Sequence, residues 1–246
     1  MFEYVDMSVP IPTSRSPAAE EIARLRSRIE RIERMNRTGG DSRTLPVAPS
    51  LARLLPGGGL RAGAAYCLDR SMSLLLRLIA EPSRAGTWCT AIGMPELGIE
   101  AAREAGAELE RLVLIPRPGE RWLSVIATVA EVMGLVAVRP ASRVREQDAA
   151  RLAARLRERG TVLLVQGPWP HAEATLRLEA AEFSGLGEGH GHLERLEADI
   201  AVVARQTGGG PRRGRVTLLG GGPDAPRERV ADAGEQAPAA RLQAVG

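Results

Sequence analysis

From Leu51 onward the chain alternates short apolar runs with longer segments of helical spacing, and no other feature restricts the fold as much. Residues 64–68, 87–92, 111–115, 135–138 and 161–165 are apolar runs of strand length. Between two of them, residues 119–133 place Trp122, Val125, Ile126, Val129 and Met133 on one face. Residues 145–159 do the same with Ala149, Leu152, Ala153 and Leu156, and Gly160 follows as a helix stop. Strands alternating with helices predict an α/β fold whose mostly parallel sheet is flanked by helices on both faces.

The alternation ends after Gln166. Two β-rich runs, 175–183 and 193–205, flank the glycine-rich stretch Gly185-Leu186-Gly187-Glu188-Gly189-His190-Gly191, which predicts a C-terminal β-hairpin. Residues 216–219 supply a last strand. The Gly, Pro and Ala content of 220–246 predicts a disordered tail, because too little apolar surface is available to offset the entropy of ordering it.

Ahead of the core, residues 1–16 read as an irregular leader and 17–36 as a helical arm. Ser16 is placed to cap that arm, Pro17 occupies its first position, and Ile22, Leu25, Ile29 and Ile32 form a narrow apolar stripe. Arginines and glutamates fill its other faces, and a polar linker over 37–50 gives it reach. We expect the stripe to bind a partner protein. Four such side chains, fully buried, contribute about 6 kcal/mol before the costs of association. The expected domain layout is completed by a core over 51–219.

Composition removes whole classes of chemistry. All 33 basic residues are arginine, against 30 acidic ones, and there is no lysine. Lysine Schiff bases, lysine general bases and the ammonium of a phosphate-binding loop are therefore excluded. Cys67 and Cys89 lie 22 residues apart among apolar neighbours, too far for a C-x-x-C pair or a zinc-ligand pair, and read as buried small hydrophobes. No stretch reaches the roughly 20 apolar residues of a membrane span, and the first residues lack the pattern of a secretory signal. A cytoplasmic protein is expected.

A strand, a turn and a helix over 64–80 follow the approach Leu55-Pro56-Gly57-Gly58-Gly59-Leu60-Arg61-Ala62-Gly63, where a nucleotide loop belongs. The loop reads Leu68-Asp69-Arg70-Ser71-Met72-Ser73-Leu74 and lacks the glycines, the lysine and the magnesium-binding hydroxyl. Asp69 sets a like charge beside any phosphate, at a cost of about 4 kcal/mol for a 4 Å contact at an effective dielectric near 20. Arg70 offsets part of it.

The order and spacing of these segments resemble the core of the recombinase RecA and, more closely, the actinobacterial ImuA-type RecA-like proteins. The resemblance covers about 51–219. It rests on the 55–63 approach, Ala-Gly-Thr-Trp-Cys at 85–89, Glu-Ala-Gly-Ala-Glu-Leu-Glu-Arg-Leu-Val-Leu-Ile-Pro at 104–116, Leu-Val-Ala-Val-Arg-Pro at 135–140 and Gly-Leu-Gly-Glu-Gly-His-Gly at 185–191. Carried across, it puts Ser73 at the lysine position and Leu74 at the magnesium hydroxyl. Arg139, followed by Pro140, stands at the metal-orienting aspartate, and Glu96 lies near the water-positioning glutamate. It implies a RecA-like fold, no catalytic residue, no cofactor and no metal.

It also implies a role in SOS mutagenesis and translesion DNA synthesis, with an ImuB-type polymerase homologue, an error-prone replicative-type polymerase and RecA as partners. Homo-oligomers are compatible with it, contact with DNA would be indirect, and localisation would be cytoplasmic and nucleoid-associated during the damage response. Against direct DNA binding, 171–197 holds six glutamates and two arginines. The alternatives are a residual ATP-dependent or DNA-binding RecA paralogue, and a RecA-like cell-division inhibitor.

Several further residues stand out. His171, His190 and His192 read as exposed turn residues. Trp88 and Trp122 read as core or rim, and Trp169 in Pro168-Trp169-Pro170-His171 as an exposed contact. Arg151, Arg155 and Arg159, with Arg143, Arg145 and Arg157, can meet phosphates or an acidic partner, although a solvated helix face accounts for most of that pattern.

Overall fold

The computed structural model describes residues 44–186, 191–205, 210–220 and 240–243. In chain order the strands are β1 (Thr44–Leu45), β2 (Leu60–Arg61), β3 (Ala65–Leu68), β4 (Cys89–Ile92), β5 (Leu112–Ile115), β6 (Leu135–Val138), β7 (Val162–Gln166), β8 (Ala174–Leu186), β9 (Gly191–Ala204), β10 (Arg212–Leu219) and β11 (Ala240–Gln243). The helices are α1 (Pro49–Ala52), α2 (Met72–Arg84), α3 (Ile99–Glu104), α4 (Trp122–Val129) and α5 (Glu146–Arg159).

The main sheet runs β10-β9-β8-β3-β7-β6-β4-β5, with β11 paired to β8. The strands from β3 to β5 in that order are parallel, and β8 is parallel to β3. β8, β9 and β10 then form an antiparallel extension. This is the mostly parallel α/β arrangement expected from the sequence: a parallel core carrying a strand–turn–helix at 65–84 and a long C-terminal hairpin. The central strands β3, β4, β6 and β7 are buried throughout, which explains their unbroken apolar runs.

Each face of the sheet has its own core. Tyr66 and Leu68 of β3 pack with Leu74, Leu75, Leu78 and Ile79 of α2. Ala65 and Cys67, pointing the other way, join Trp122 and Ile126 of α4 and Leu152 and Leu156 of α5. α2 starts at Ser71, whose Oγ accepts from the Leu74 N–H at 3.2 Å. α5 ends at Gly160 in the left-handed conformation, φ 72°. Both cysteines are buried, and burial pushes the Cys89 thiol up to about 12.

Three expectations shift. Of the expected linker over 37–50, residues 44–50 are described and belong to the core: β1 pairs with β2, and Val47 and Ala48 are buried. Within the expected disordered tail over 220–246, residues 240–243 pair antiparallel with β8. The helix expected over 119–133 covers only 122–129, because Pro118 and Gly119 precede it and Gly134 follows the turn after it. The leader, the arm with Ile22, Leu25, Ile29 and Ile32, His190 and the rest of the tail lie outside the described residues. Among the described residues no helix is long and apolar enough to cross a membrane.

Candidate functional site

In an open parallel sheet, ligands bind at the carboxyl ends of the strands, where loops and helix N-termini converge. Here that edge is formed by the ends of β3, β4, β6 and β7. The loop after β3 is held by its own side chains. One carboxylate oxygen of Asp69 accepts from the Ser71 N–H at 3.1 Å, and the other accepts from the Leu178 N–H of β8 at 2.6 Å. The Asp69 N–H donates to the Leu176 carbonyl at 3.3 Å. The Asp69 and Ser71 amides of the loop are thereby engaged, the second by an anion.

Beside this loop a polar chain links three strand ends. The Arg139 guanidinium donates through Nε and Nη2 to Gln166 Oε1, at 3.0 and 2.6 Å, and forms an ion pair with Glu96 through Nη1. Gln166 in turn donates from Nε2 to the Ser71 carbonyl at 3.4 Å. Residue by residue, Glu96 follows β4, Arg139 follows β6, Gln166 ends β7 and Ser71 caps α2. Gly93 makes the close approach possible. It has φ +76°, and a Cβ there would stand 2.7 Å from the Arg139 carbonyl oxygen.

The electrostatics follow from this geometry. The backbone N–H of Glu96 itself, and next the Arg139 guanidinium, hold the Glu96 carboxyl below its ordinary value. A cation stands at the end of β6, where metal chemistry would require a carboxylate. Among the described residues no cluster of His, Cys, Asp or Glu is suited to hold a metal ion.

The structure brings together Glu96, Arg139 and the Asp69–Ser71 loop, all singled out from sequence, while Ser73 and Leu74 lie in the first turn of α2. Sequence reasoning missed Gln166, the hub of the chain. As a buried polar residue ending an otherwise apolar strand, it carried the one available signal. Trp169 corrects an expectation. It is 7% exposed and packed in the α4/α5 core, with its carbonyl accepting from the Cys67 thiol at 3.8 Å. Trp88 is a rim residue, 43% exposed, with the Arg111 guanidinium 5.0 Å from its ring centre. His171 is exposed and pairs with Glu146 at 2.9 Å.

The fold and this edge together define a mostly parallel α/β protein whose loop after β3 is held by its own polar residues. A family model described as the MT3502 N-terminal domain matches residues 53–171. The uncharacterized protein Rv3395c of Mycobacterium tuberculosis is 35% identical over 159 residues, which span 59% of this chain and 74% of the relative. The chain belongs to that family. Among solved structures, the KaiC-like protein PH0186 of Pyrococcus horikoshii OT3 is similar over 72% of this chain and 99% of that one, at 14% identity and a TM-score of 0.46.

Proposed function

We propose that this chain is a non-catalytic, ImuA-type accessory protein of DNA-damage-induced mutagenesis and translesion synthesis. It would act through protein contacts with an ImuB-type polymerase homologue, the error-prone replicative-type polymerase and RecA. The observation that carries the non-catalytic part is the chain Glu96–Arg139–Gln166–Ser71, with Asp69 beside it. A working phosphoryl-transfer site presents free amides, a cation and a magnesium ligand to the triphosphate. This edge presents a carboxylate that already holds the Ser71 amide, and a guanidinium already paired. The resemblance of the core to ImuA-type proteins supports the cellular process.

Two measurements test the reading. Ligand saturation at 100 times Kd stabilises a fold by about 2.7 kcal/mol, so millimolar Mg-ATP is expected to leave the melting temperature unchanged; an increase would favour the ATP-dependent paralogue. Deletion of the gene is expected to lower damage-induced mutation frequency. An unchanged frequency, together with filamentation on overexpression, would favour the cell-division inhibitor.

A further inference from the structure

The connection from β7 to β8 is unusual for a parallel sheet. Both strands lie parallel to β3, one on each side of it, so the chain must cross β3 to pass between them. Parallel crossovers ordinarily take a dozen or more residues and carry a helix over the sheet. This one has the seven residues 167–173 and no helix. It begins where the Gly167 N–H donates to the Leu68 carbonyl at 2.9 Å and ends where the Glu173 N–H donates to the Ala65 carbonyl at 2.7 Å. Trp169 packs on the Cys67 face of β3, and His171 turns the chain with φ 58°.

A strap this thin leaves the sheet face open between itself and α5. Two cavities lie there and share Trp169, Pro170 and His171: one of about 370 Å³ along α5 and one of about 730 Å³ at its start. Arg157 and Arg205 line the first, and Arg143 and Arg145 the second. All four are exposed, and none forms an ion pair among the described residues. The two carboxylates in these walls are already engaged, Glu173 with Arg61 at 2.5 Å and Glu146 with His171. The result is a groove with surplus positive charge and a floor of small apolar side chains, Ala149, Ala150 and Ala153 of α5 among them.

We infer that this groove beside the strap docks an extended, acidic segment of a partner protein. Charge complementarity selects the acidic partner, and the alanine floor suits short aliphatic side chains between its carboxylates. α5 has 14 residues, hence a length of about 21 Å, which matches about six extended residues. The groove is poorly suited to single-stranded nucleic acid. Of its two rings, Trp169 is buried and offers no face for base stacking and His171 is tied to Glu146, and Glu146 and Glu173 stand in its walls. The site lies on the sheet face opposite α2 and is independent of the nucleotide question.

The test uses the full chain and three fluorescein-labelled probes: a peptide alternating Glu and Leu, one alternating Lys and Leu, and a thymidine oligonucleotide of equal length. Saturable, salt-sensitive anisotropy is expected with the Glu–Leu peptide alone. R143Q/R145Q and R157Q/R205Q, both confined to exposed side chains and checked by melting temperature, are each expected to weaken it about tenfold or more. Absence of saturable binding, or affinity unchanged in both variants, would overturn the inference. Oligonucleotide binding tighter than peptide binding, and lost in the same variants, would assign the groove to nucleic acid instead.

Discussion

Asp69 makes two charge-assisted hydrogen bonds to backbone amides, one within its loop and one to the neighbouring strand. Hydrogen bonds to charged groups contribute about 1.5–3 kcal/mol each, so Asp69→Ala is expected to destabilise the fold by about 2 kcal/mol or more in urea unfolding. A loss below 0.5 kcal/mol, on the scale of a neutral surface substitution, would show that the loop does not depend on this carboxylate. Glu96 makes a different, pH-dependent prediction. Its folded-state value is lowered, so its contribution is present above the unfolded glutamate value, near 4.3, and is lost as pH falls through the lower folded value. The melting-temperature difference between wild type and Glu96→Gln should therefore shrink as the solution is acidified below that range. A difference that stays constant down to the folded value would remove the ion pair from the account. Neither role is legible from sequence, where Asp69 stands out only as a charge unfavourable to phosphate and Glu96 only through the resemblance, as lying near the water-positioning glutamate.

At the scale of elements, the strap over 167–173 replaces a crossover helix, and Trp169 is the side chain that fills the space beneath it. Trp169→Ala is expected to cost about 3–5 kcal/mol, the range for deleting a buried aromatic ring, measurable as a lowered urea midpoint. A loss under about 1 kcal/mol would mean that the strap is held without the indole. The proline-flanked Trp169 looked exposed in the sequence because Pro-x-Pro segments usually mark surface turns, and nothing local reveals that the chain passes over β3. By contrast, the strands β3, β4, β6 and β7 were readable from their apolar runs, since strands buried on both faces have no alternation to obscure them. α5 was readable down to its Gly160 stop. The pairing of 44–45 with 60–61 and of 240–243 with β8 was not, because these short strands, two and four residues long, are defined by a partner distant in sequence.

On the proposed reading, the protein would act through surfaces that grip other proteins and not through a nucleotide. If the arm acts as the sequence suggests, Leu25→Asp with Ile29→Asp should abolish pull-down of an ImuB-type or RecA-type partner while leaving the melting temperature of the core little changed. Retained capture would refute the arm as the gripping element. The central claim is that the polar residues at the strand ends fill the place of a nucleotide. A crystal of the full chain grown with a magnesium-bound, non-hydrolysable ATP analogue tests it most directly. The account predicts no ordered phosphates near Ser71 and Ser73, with the Asp69 and Arg139–Gln166 hydrogen bonds intact; a triphosphate seated there, with those bonds broken, would contradict it.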